Sequence, residues 1–120
     1  MMSTLSETKA HHSTATRARS DDSLQGAASG RVNNYSLTGD GNIWIVNFFY
    51  TPGDPISDMG VGVLIYDDRF NAVQLQNPTS NPPHSVWFPL PTKSGTVYQV
   101  QVFNCTPLLI KYTIEVQKSP

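Results

Sequence analysis

From Thr96 to Gln117 the chain reads TVYQVQVFNCTPLLIKYTIEVQ, two apolar–polar alternations separated by four turn-forming residues. Tyr98, Val100 and Val102 share one face and Gln99 and Gln101 the other. After Asn104-Cys105-Thr106-Pro107 the pattern resumes as Ile110, Tyr112, Ile114 and Val116 against Lys111, Thr113 and Glu115. Side chains of a strand alternate between its faces, so a period of two sustained over both runs specifies half-buried β-strands and excludes an amphipathic helix. Joined by so short a turn, the two runs read as an antiparallel hairpin. A lone hairpin is not stable in water, so the remaining chain must supply further strands.

Arg31 to Leu37 reads as a strand, closed by the turn residues Thr38-Gly39-Asp40-Gly41-Asn42. IWIVNFFY, Ile43 to Tyr50, is the most apolar run; Asn47 breaks one face, which assigns Trp44, Val46, Phe48 and Tyr50 to the core. Ile43, Ile45 and Phe49 then form a partly covered second face. Thr51 to Met59 carries two prolines and a glycine and reads as an unpaired loop. Between Gly60 and Asp67, Val61, Val63 and Ile65 point inward, and Gly60 and Gly62 leave the opposite face nearly bare. Asp67 to Asn71 is a hairpin turn, Ala72 to Gln76 its returning strand, and Asn77 to Pro83 a polar connection. Val86, Phe88 and Leu90 mark a strand that Pro89 places at an edge or a bulge. With no helical period anywhere, the expected fold is all-β: an antiparallel, jelly-roll-like two-sheet sandwich of about seven to eight strands.

Residues 1–30 are of other material. Ser, Thr, Ala and charge dominate, with Met1, Met2, Leu5 and Leu24 as the only large apolar side chains. Ordering a residue costs about 1–2 kcal/mol of backbone entropy, which this segment has little apolar surface to offset. Residues 1–30 therefore read as a disordered tail and 31–120 as the domain. His11-His12 in such a tail reads as solvated, because a zinc site needs three or four converging ligands.

Charge and cysteine content narrow the function. Eight Lys plus Arg stand against nine Asp plus Glu, so no basic field points to nucleic acid. No apolar stretch reaches the length of a membrane span, and the amino terminus lacks the apolar core of a signal peptide. The single Cys105 excludes an intrachain disulfide framework.

The succession of the aromatic strand Trp44 to Tyr50, VGVLIYDDRFNAV (Val61 to Val73) and GTVYQVQVFNCTPLLIKYTIEV (Gly95 to Val116) resembles the bacterial pre-peptidase C-terminal domain. The resemblance covers Arg31 to Val116. It implies a non-catalytic β-sandwich of the kind appended to secreted or cell-surface proteins, with a protein or polysaccharide partner, and it leaves homo-oligomers open.

The residues agree with a non-enzymatic reading. His84 is the one histidine of the expected domain, no Gly-x-Ser-x-Gly elbow occurs, and Cys105 has no base beside it in sequence. Asp40 and Asn42 in one turn, and Asp54 and Asp58 in another, are the candidate calcium ligands, although Asp and Asn are also ordinary turn residues and no EF-hand spacing is present. Trp87 and Phe103 alternate with inward residues and are expected to point outward. Together with Gln99 and Gln101 they are the candidate ligand-binding residues; Gln74 and Gln76 extend an amide-rich surface that suits a saccharide or solvent equally. The expectation is an interaction or structural module acting through a sheet face; the alternative is a carbohydrate- or matrix-binding module using its exposed aromatics, with calcium in the loops. Asn34-Tyr35-Ser36 and Asn104-Cys105-Thr106 match the short glycosylation acceptor pattern.

Overall fold

The computed structural model describes residues 17–26, 31–52, 60–78 and 84–119. Eight strands follow one another: β1 (Arg17–Gln25), β2 (Arg31–Thr38), β3 (Ile43–Pro52), β4 (Val61–Tyr66), β5 (Ala72–Gln76), β6 (His84–Pro91), β7 (Val97–Asn104) and β8 (Leu109–Lys118). They form two four-stranded antiparallel sheets. Sheet A has the order β1-β8-β3-β6 and sheet B the order β2-β7-β4-β5. Successive strands alternate between the sheets, except that β4 and β5 are neighbours in sheet B, which is the jelly-roll arrangement of two Greek keys.

The alternation read from the sequence sets the faces. Tyr98, Val100 and Val102 of β7 and Ile110, Tyr112, Ile114 and Val116 of β8 are buried, as are Trp44, Val46, Phe48 and Tyr50 of β3. Val61, Val63 and Ile65 of β4 and Phe88 and Leu90 of β6 are buried in the same core. Ile43, Ile45 and Phe49 lie on the outer face of β3, exposed or half-exposed.

Three expectations are corrected. First, β7 and β8 are not a hairpin. β7 pairs with β2 and β4, whereas β8 pairs with β1 and β3. The residues between them carry the chain across the sandwich from sheet B to sheet A. Periodicity assigns a face to each strand, but a short connection suits an arch between sheets as well as a turn within one. Second, residues 17–25 are not tail but β1, in unbroken register with β8 from Arg17↔Gln117 to Gln25↔Leu109. Ala18 and Leu24 are its only buried apolar side chains. The strand is held instead by its ladder, by hydrogen bonds from Asn33 Nδ2 to Ser23 O (3.3 Å) and Asn104 Nδ2 to Leu24 O (2.9 Å), and by the Arg17–Glu115 ion pair. Residues 1–16 lie outside the described residues. Third, β3 runs on through Thr51 and Pro52, which stand opposite Lys111 and Ile110 of β8. The rest of the expected loop, 53–59, is outside the described residues.

The outer face at Gly62 is not bare either. A Cβ there would lie 2.8 Å from Phe103 Cζ and 2.5 Å from Gln76 O. The glycine is what lets the Phe103 ring lie down over β4, and Phe103 is half-buried as a result.

Because β1 completes sheet A, deleting residues through Gly30 should cost about 3 kcal/mol or more: it removes Leu24 from the core and strips the cover from β8. Urea unfolding of a chain beginning at Arg31, compared with one beginning at Arg17, measures this. Equal midpoints would show that β1 adds nothing to the fold.

Candidate binding face

Two ends and two outer faces offer themselves as sites. At one end, the β2–β3 turn holds Asp40 and Asn42. Asp40 Oδ1 accepts from Trp44 Nε1 and from the Asn42 backbone N–H, both at 3.1 Å, and Oδ2 pairs with Lys118 Nζ at 2.7 Å. The same Nζ stands 5.5 Å from the Trp44 ring centroid, a cation–π distance. Burial raises the Asp40 pKa, but the Lys118 ammonium and the Asn42 and Trp44 donors outweigh it and hold the carboxyl far below its ordinary value. Asp40 is thus committed to binding the last residues of β8 to the start of β3. Asp54 and Asp58 lie outside the described residues. Among the described residues no group of three or more His, Cys, Asp or Glu could hold a metal ion.

Beside Asp40, the β4–β5 turn and the β6–β7 connection enclose a cleft of about 530 Å³, lined by Asp67, Arg69, Asn71, Lys93, Thr96 and Tyr98 among others. The Asp67 carboxylate is also engaged. Asp67 Oδ1 accepts the backbone N–H groups of Arg69 and Asn71, each at 2.9 Å, and these donors lower its pKa. Phe70, at the tip of that turn, has φ 62° and is 80% exposed.

Inside the sandwich, Tyr35 of β2 and Tyr112 of β8 join their hydroxyls across the gap, and Asn33 Nδ2 donates to the Tyr112 hydroxyl Oη at 2.8 Å. Burial raises both phenol pKa values, that of Tyr112 strongly, so both stay neutral. The pair is a strut between the sheets. Asn104 of the second glycosylation pattern is fully buried and donates to Leu24 O and Leu108 O, whereas Asn34 of the first is exposed on β2.

The outer faces differ more than the sequence suggested. Trp87 stands outward on β6 and is 64% exposed. Register places it beside Asn47 of β3, with Glu115 of β8 and Arg19 of β1 continuing the same row across sheet A. The next row runs Ser85, Phe49, Thr113, Asp21. Phe49, 38% exposed, is therefore a diagonal neighbour of Trp87, within reach of a large side chain. A shallow groove of about 430 Å³ extends from Phe49 between Thr51, Lys111, Thr113 and Asp21. Thr113 donates to Asp21, and that bond, followed by Arg19, lowers the Asp21 pKa.

Phe103, Gln99 and Gln101 belong to the opposite side of the molecule, the outer face of sheet B. They cannot share a ligand with Trp87. Gln74 and Gln76 are on neither outer face. Paired with Ile65 and Val63, they turn toward the gap, where Gln74 Nε2 reaches Pro89 O of β6 at 3.5 Å. Sequence alternation placed Phe49 outward but gave no means of pairing it with Trp87, because strand neighbours are not written in the pattern.

The fold is similar to part of the crystal structure of dimeric latent PorU from Porphyromonas gingivalis, with a TM-score of 0.41 and 12% identity, over 87% of this chain and 13% of that one. The chain thus spans about an eighth of that protein. No family profile matches the sequence. No curated protein matches it in sequence. Of the resemblance to pre-peptidase C-terminal domains, the β-sandwich fold is what stands.

Asp40 supplies a pH test. Its folded pKa is depressed, so its contribution to stability is complete above the ordinary carboxyl pKa and is lost as pH falls through that range toward the folded value. Thermal melts from pH 6 downward should show a steeper acid loss for the wild type than for Asp40→Asn, which is less stable at neutral pH. Parallel acid limbs would mean that the Lys118 pair contributes nothing.

Proposed function

We propose that this β-sandwich is a non-catalytic interaction module that engages its partner through the outer face of sheet A, centred on Trp87. One observation carries the reading: Trp87 is 64% exposed on a strand whose Phe88 and Leu90 are buried. A large ring held outward by a rigid strand presents much area with little entropy to lose on binding, and interface hot spots are enriched in Trp. Asn47, Glu115 and Arg19 in the same row supply polar contacts for orientation, as the rim of an interface does. Asp21, Asp40, Asp67, Tyr35 and Tyr112 are each engaged in structural bonds, which favours binding over chemistry.

A second reading rests on Phe49. Two aromatic rings diagonal to one another, with the Asn47 amide between them and hydroxyls in the adjoining groove, also suit a polysaccharide, whose ring faces stack on aromatics while its hydroxyls seek amide partners.

Trp87→Ala separates the face from the core. The melting temperature should stay almost unchanged, while binding weakens by about 2 kcal/mol, roughly thirtyfold. Affinity capture and a glycan array, each run with wild type and Trp87→Ala, provide the readouts. A protein ligand lost on substitution supports the module reading, and a glycan lost on substitution supports the second. Ligands retained undiminished by Trp87→Ala would remove this face from the account.

A further inference from the structure

A β-sandwich has four free strand edges, each a row of backbone donors and acceptors ready to pair with another strand unless something prevents it. Three edges of this molecule are guarded. β1 carries Arg17, Arg19, Asp21 and Asp22, and two of its carbonyls, Ser23 O and Leu24 O, already accept from the Asn33 and Asn104 side chains. β6 contains Pro89 and Pro91, which lack the N–H a ladder needs. β5 is only five residues long and is interrupted by a register shift opposite Ile65 and Tyr66.

β2 has none of these devices. Its eight residues, RVNNYSLT, contain no proline, and Arg31, at the very start, is its only formal charge. Its register with β7 is unbroken from Arg31↔Asn104 to Thr38↔Val97. Beyond that ladder, no backbone hydrogen bond between described residues is made by residues 31–38. Val32, on the outer face beside this edge, is 45% exposed.

We propose that the free edge of β2 pairs antiparallel with β2 of a second copy of this chain, joining the two B sheets into one continuous eight-stranded sheet. A flat strand edge is self-complementary under a two-fold axis, so one unguarded edge suffices to build a closed dimer. Charge allows it: with one charge at the strand's end and a net of −1 for the chain, two copies meet without like charges opposed along the strand. The size of the contact sets its strength. Eight residues of strand give an edge of about 27 Å by about 10 Å, well under the ~800 Å² per partner of a standard interface. The dimer is therefore weak and concentration-dependent. This interface lies on the other sheet from Trp87 and leaves the proposed binding face open in each copy.

Sedimentation velocity of the full chain, from low micromolar to near-millimolar concentration, tests the proposal. Wild type should pass from monomer to dimer with rising concentration. Asn34→Lys with Ser36→Lys places charges on outward-facing positions, where each copy confronts its symmetry mate, so association should fall at least about tenfold. The melting temperature should hold, because neither side chain belongs to the core. Leu75→Lys on β5 should associate as wild type does. Hydrogen exchange on wild type at the two concentration extremes gives a readout without substitutions: β2 amides should gain protection at high concentration. A wild type that stays monomeric throughout, a double variant that associates undiminished, loss of association with Leu75→Lys, or unchanged β2 exchange on association would each overturn the proposal.

Discussion

Asn104 holds the corner on which this sandwich turns. It is fully buried at the point where the chain leaves sheet B for sheet A. Its Nδ2 donates to Leu24 O at 2.9 Å and to Leu108 O at 2.7 Å, while Oδ1 accepts from the Thr106 N–H at 3.0 Å and the Thr106 hydroxyl at 2.6 Å. All four hydrogen-bonding positions of the amide are used, which is what makes a buried polar side chain tolerable and also what makes it specific. Gly26 fits against the same corner. It donates to Leu108 O at 3.1 Å, and a Cβ there would lie 1.9 Å from Thr106 O. The arch between β7 and β8 and the end of β1 are thereby fixed to one another.

The opposite end is closed in another way. Asp40, Lys118 and Trp44 tie the end of β8 to the β2–β3 turn, and Thr92 Oγ1 donates to Asn42 O at 2.7 Å. With both ends bonded and the Tyr35–Tyr112 strut between the sheets, the frame is rigid independently of its outer faces. Those faces are then free to differ. Sheet A presents rings, at Trp87 and Phe49; sheet B presents the amides of β7 beside the half-buried Phe103 and the open edge of β2.

Alternation made the strand faces legible because one-sided burial imposes a period of two, and every core position assigned to β3, β4, β7 and β8 lies inside. Partnership was not legible. The run Asn104-Cys105-Thr106-Pro107 has the composition of a turn, and nothing local distinguishes a turn within a sheet from an arch between sheets. That Asn104 is a core residue follows only from its partners, Leu24 and Leu108, the first of them eighty positions away. β1 escaped notice for a related reason. A strand held by its backbone ladder and by side-chain amides from its neighbours needs little apolar content, so Ala18 and Leu24 suffice where periodicity would look for four or five. Asp40 reads as a turn residue in sequence, while its real occupation comes from Lys118, at the other end of the chain. For the candidate face, Trp87 was visible as an outward aromatic. Its neighbours Asn47 and Phe49 depend on the pairing of β3 with β6, and Phe103 was separated from it by the assignment of β7 to the other sheet.

The central claim, that the Asn104 corner locks β1 into the sandwich, is tested most directly by native-state hydrogen exchange on Asn104→Ala. The substitution takes the side-chain donor from Leu24 O, leaves Leu108 O with the Gly26 N–H alone, removes the acceptor of the Thr106 N–H and hydroxyl, and should cost about 3 kcal/mol. The account predicts that the β1 amides, residues 18–25, lose protection first and open separately, while the β4–β7 ladder keeps protection close to the global stability. If the β1 amides instead exchange only with global unfolding, as protected as the centre of sheet B, the corner is not what holds β1 and the account is wrong.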